Sequence, residues 1–113
     1  MITLKTVVDE EMKPELLGAY YKALVNRFFK ILPMRESGEK SLPDYIRSLQ
    51  SELLGIQRFV TGLNEGAMFT TLLGILEFLH DEDACSVRET KREVFRAISL
   101  CNKLEAACGG SGD

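Results

Sequence analysis

The chain has a single histidine, His80, and only three cysteines, Cys85, Cys101 and Cys108, with no Cys-x-x-Cys among them. An odd thiol count at these spacings matches neither a disulfide framework nor a tetrahedral zinc set. Reduced, partly buried thiols in a reducing compartment are therefore expected. One histidine leaves little material for a nucleophile–base pair, and no Gly-x-Ser-x-Gly accompanies it. Gly62, Gly66 and Gly74 lack the Lys-Ser/Thr that completes a phosphate-binding loop. Apolar runs are broken by Thr, Gly and Glu well short of the ~20 residues that span a bilayer. The first residues also lack the basic segment and long apolar run of a secretory signal. Together these absences predict a soluble, cytoplasmic protein with no catalytic constellation and no cofactor.

What is present fits one small domain. A chain of 113 residues, 45% hydrophobic and 27% charged, can bury a single core without metal or disulfide staples. We expect that domain over residues 1–108, with Gly109–Asp113 as a flexible tail. The net charge of −3 is unevenly spread. Residues 16–40 and 86–108 carry an excess of Lys and Arg, whereas residues 63–85 have five acids and no base. Such alternation suggests complementary faces, between helices or between subunits.

Apolar spacing predicts an all-α fold, a bundle of about four helices over 14–32, 42–61, 65–80 and 87–107. Residues 1–8 read as a short arm or strand. Pro14 suits the first turn of the first helix, whose inner face is Leu17, Tyr20, Tyr21, Leu24, Phe28 and Ile31. Pro33 disfavours helix in the residue before it, so a stop near Leu32 and a polar loop at 35–40 are expected. Ser41 reads as the cap of the second helix. Leu42, Ile46, Leu49, Leu53, Ile56, Val60 and Leu63 then follow heptad spacing, either as a core stripe or as a coiled-coil seam. Asn64 reads as the cap of the third helix, which is apolar around most of its circumference. Gly55 and Gly74 imply close helix–helix approach. Ser86 and Glu89 form the full capping box that opens the last helix.

The excess of apolar face on the second and third helices points to self-association, as a homodimer, in a small protein-interaction or regulatory module. Two alternatives belong to other classes. Arg88, Arg92 and Arg96 recur at four-residue spacing and offer a surface for nucleic-acid phosphates, extended by Arg27, Lys30 and Arg35 if the first and last helices are neighbours. Glu89 and Glu93 partly neutralise this stripe, and no aromatic stacking platform is evident beside it. The other alternative is a small-molecule or metal-binding bundle, with a pocket lined by Tyr20, Tyr21, Phe28 and Phe69. Glu77-x-x-His80 has the spacing of a di-iron ligand pair, but such sites need two copies. His80, Asp81, Asp83 and Cys85 together match no tetrahedral ligand set. No metal, cofactor or catalytic residue is assigned.

Overall fold

The computed structural model describes residues 14–60, 62–81 and 86–109. The expected arm or strand at 1–8 and the residues 110–113 lie outside them. Four long helices and one short one make up the described chain, with no strand among them: α1 Pro14–Phe29, α2 Ile31–Glu36, α3 Leu42–Ile56, α4 Leu63–His80 and α5 Val87–Gly109. A 3₁₀ turn at Gln57–Phe59 follows α3. The helical bundle read from the sequence is the observed fold.

The inner stripe of α1 is as its spacing predicts. Leu17, Tyr21, Leu24 and Phe28 are buried, and Ile31 continues the stripe from α2. Helix α1 does not stop at the proline, however. It breaks at Lys30, and Pro33 lies within α2. The physical reason is the missing N–H: Pro33 cannot donate to the Phe29 carbonyl, so one bond of the ladder is lost upstream of the ring. In the first turn of a new helix that donor is not required. The expected polar loop is correspondingly shorter, because α2 runs to Glu36. It closes with Gly38 at φ +68°, where glycine is favoured. Glu39 N–H donates to the Met34 carbonyl (2.9 Å) and Gly38 N–H to that of Arg35 (3.1 Å), a Schellman closure.

Leu42, Ile46, Leu49 and Leu53 of the heptad series are buried in the core of this one chain. The series then fails: Ile56 and Val60 are half-buried, and Leu63 is 93% exposed at the start of the next helix. Ser41 makes no side-chain cap bond; its hydroxyl faces the Glu39 carboxylate instead. The N-cap of α4 is Gly62, with extended backbone, and Asn64 falls inside the first turn. Helix α4 uses its wide apolar surface internally. Phe69, Leu72, Ile75, Leu76 and Leu79 are buried, and Met68, Leu73 and Phe78 pack against the core.

The Ser86–Glu89 capping box forms in both directions: Ser86 N–H donates to Glu89 Oε1 (3.0 Å), and Glu89 N–H to Ser86 Oγ (3.2 Å). From there α5 buries Val94, Ala97, Ile98, Cys101 and Leu104. It extends through Gly109, which the sequence placed in the tail. Helices α1 and α5 run antiparallel, since Gly18 meets Cys108 at one end while Phe29 meets Phe95 toward the other. Helices α3 and α4 form a hairpin, and α4 packs on α5.

Gly18 faces a neighbouring helix without being required by it, since the contact is an ordinary van der Waals one. A β-carbon there would stand 3.4 Å from Cys108 Cβ, whereas one at Gly55 or Gly74 would meet nothing within 4 Å. Gly74 therefore imposes its helix cost without a packing return. Gly74→Ala is expected to raise stability by about 1 kcal/mol, read as a higher melting temperature with an unchanged helical circular-dichroism spectrum.

Candidate functional site: a basic aromatic face on α1 and α5

Phe29 and Phe95 lie off the inner stripes of their helices, and each stays more than two-fifths exposed. The two rings meet edge to face, with centroids 5.7 Å apart and planes at 87°. Such a pair is rigid and still presents apolar surface to solvent. Around it the outer face of α5 is cationic. Arg88, Lys91 and Arg92 stand within two turns on the N-terminal side of Phe95, all exposed. On α1, Lys22 precedes Phe29 by two turns and Lys30 follows it directly; both are exposed. No acid occurs from Lys22 to Lys30. Among the described residues, Lys22, Lys30, Arg88 and Lys91 make no ion pair.

The arginine stripe read from the sequence divides here. Residues four apart drift around a helix, because 3.6 residues complete a turn. Arg88 and Arg92 lie beside Phe95, but Arg96 has rotated toward α4. Its guanidinium donates to Glu93 Oε1 at 3.1 Å, and Arg92 reaches the other carboxylate oxygen at 3.4 Å. The Glu93 side chain is only 12% exposed, so these contacts offset the loss of its hydration. Arg96 also lines a groove of about 290 Å³ between α4 and α5, with Ile75 and Phe78 among its other walls.

Arg27 and Arg35, expected to extend the stripe, are engaged elsewhere. Arg27 makes a bidentate pair with Glu52 (2.7 and 2.9 Å), which also accepts from the Tyr20 hydroxyl at 2.9 Å. The Tyr45 hydroxyl donates to the Arg27 carbonyl at 3.0 Å, completing the tie between α1 and α3. Arg35 donates to the Leu79 carbonyl at the end of α4 and to Thr90 Oγ1 in the first turn of α5. A cation at the end of α4 is also favoured by the helix dipole.

The aromatic residues proposed to line a pocket are packing residues. Tyr21, Phe28 and Phe69 are buried in the core, and Tyr20 lies against it. Glu77 and His80 join a surface network in which Arg47 contacts both, and Gln50 donates to the Glu77 carboxylate. Among the described residues, no three of His, Cys, Asp and Glu come together to hold a metal ion. Asp83 and Cys85 lie outside those residues. Burial pushes the Cys101 thiol up to about 12 and raises Cys108 as well, so neither is an activated nucleophile.

The face at Phe29 and Phe95 was missed because neither ring belongs to an inner stripe. The available signal was their status as the leftover aromatics of two amphipathic helices, each with lysine or arginine one turn or less away. Comparison with known proteins adds no identification: no family model, curated protein or solved structure matches the chain. Among the described residues, no helix is long and apolar enough to cross a membrane.

The Arg27 pair makes a test of the α1–α3 tie. Hydrogen bonds from Arg27, and next from Tyr20, hold the Glu52 carboxyl below its ordinary 4.5 against the opposing effect of partial burial. A group depressed in the folded state contributes stability above its unfolded value and loses it as pH falls through the folded one. Acidification below about pH 4.5 is thus expected to lower the melting temperature of the wild type more steeply than that of Glu52→Gln. Parallel curves for the two proteins would show that the pair adds nothing.

Proposed function

We propose that the chain is a non-catalytic interaction module that docks another macromolecule on the α1–α5 face. The observation that carries this reading is the exposed Phe29–Phe95 pair beside Lys22, Lys30, Arg88 and Lys91, which make no ion pair with a carboxylate among the described residues. Aromatic anchors and arginine dominate binding energy at protein interfaces. Lysine at the rim contributes to encounter rate and selectivity.

The same face argues for a partner other than a second copy. A twofold dimer places one patch against itself, so these cations would oppose one another. Like charges in such contact cost several kcal/mol. The apolar surfaces of α3 and α4 that favoured a dimer are largely used inside one chain, which removes their main motivation. A reducing cytoplasm remains the compartment that best suits a free thiol at Cys101.

A second reading is favoured by one observation, the presence of aromatic rings beside phosphate-binding side chains. Nucleic-acid bases stack on such rings while cations follow the backbone. Against it stand the net charge of −3 and a pair of rings each partly covered by the other.

A photo-crosslinking amino acid in place of Phe95 tests both readings in the cells that make the protein. A discrete protein adduct is expected, lost when Arg88→Glu and Lys91→Glu are added. An adduct of twice the chain mass would restore self-association, and nucleic acid in the adduct would establish the second reading. No adduct at all from a folded, expressed variant would overturn the proposal.

A further inference from the structure

The face carries an inference about what it binds, which rests on its being a docking surface. We infer that its occupant is an acidic segment of a partner protein with an apolar anchor for the Phe29–Phe95 pair. Three features of the chain converge on this chemistry.

The first is charge segregation. Lys22, Lys30, Arg88 and Lys91 are exposed near the Phe29–Phe95 pair on a chain whose net charge is −3, so the remaining residues sum to a net negative charge. A polyanion that extends past the face meets that acidic remainder, whereas a short acidic segment does not. Screening over about 8–10 Å keeps attraction local and lets the two regions act separately. Attraction at this side also helps to orient the encounter with an acidic segment.

The second is the form of the apolar anchor. Phe29 and Phe95 present neighbouring ring surfaces fixed by their own edge-to-face contact. One leucine, phenylalanine or tryptophan side chain of a partner covers such a pair, and little side-chain entropy remains to be lost on this side of the interface. Stacked bases would instead need a free ring face on each residue.

The third is length. From Arg88 to Phe95 the cationic and aromatic stretch of α5 spans about 10 Å at 1.5 Å per residue. That matches roughly two turns of an amphipathic helix laid beside α1 and α5, its acids flanking one apolar anchor. Such a segment would cover the exposed rings of Phe29 and Phe95.

The experiment is selection of a random 16-residue peptide library, displayed on phage, against the full chain, with Phe95→Ser as the counter-selected protein. Sequences that prefer the wild type are expected to carry an excess of Asp and Glu around one or two large apolar residues. A synthesised winner should bind at least tenfold more weakly to Arg88→Glu/Lys91→Glu and lose affinity with added salt. Amide chemical shifts should move at Phe29, Lys91 and Phe95. Neutral or basic winners that still depend on Phe95 would overturn the acidic assignment and leave the docking face intact. Failure to select any Phe95-dependent peptide overturns the inference, and tight binding of a 20-residue oligothymidine at the same amides would replace protein by nucleic acid in both readings.

Discussion

The close antiparallel packing of α1 on α5 is the constraint on which the remaining arrangement depends. Gly18 lies against Cys108, and the inner stripes of both helices are committed to a common core. Two helices packed this way must each turn their opposite side to solvent or to a third element. Helices α3 and α4 close over the inner side only. The outer side, with Phe29 and Phe95, is therefore left open as a consequence of the same contact that builds the core. Two hydrogen-bonding arginines fix this geometry from the flanks. Arg35 ties the end of α4 to the start of α5, and Arg27 ties α1 to α3 through Glu52. Both are cations withdrawn from the outer face, so the charge that stays there is a selected subset of what the sequence carries.

Much of the fold was legible because it depends on local rules. The inner stripe of α1 obeys helical spacing, and the Ser86–Glu89 box needs only residues three apart. The failures are instructive in the same terms. Pro33 was read as a stop because its effect on the preceding residue was weighed above its tolerance in a first helical turn. Asn64 was read as the cap on propensity, yet the chain enters α4 two residues earlier, through an extended glycine. Gly55 and Gly74 resembled packing glycines, but it is Gly18 that faces a neighbouring helix.

The candidate site was the least legible feature, and the reason is register. Arg88 and Arg92 were visible as a spaced pair. Whether a second aromatic ring joined Phe95 beside them depended on which residue of α1 came opposite it. That alignment is set by the packing of α1 on α5 and by the length of α1, neither of which a local pattern contains. Phe29 also sits next to Phe28, which is fully buried, and adjacent residues on a helix point about 100° apart. One phenylalanine of the pair is core and its neighbour is surface. Reading them together as one apolar cluster hides that difference.

Glu93 shows how the core edits the surface. It lies on the flank of α5 that turns toward α4, where hydration is poor, and an ionised carboxylate there needs compensating donors. Arg92 and Arg96 supply them from either side of it in sequence. Arg96 is thereby held against the α4–α5 groove, and what the sequence displays as a three-residue basic stripe becomes two different structures. One is an acid neutralised by flanking guanidinia, which keeps α5 seated. The other is the group Arg88, Lys91 and Arg92 beside an aromatic pair, where Lys91 has more claim to function than Arg96. Charge spacing along a helix thus records a mixture of structural compensation and available surface. The burial of the intervening acid is what separates the two.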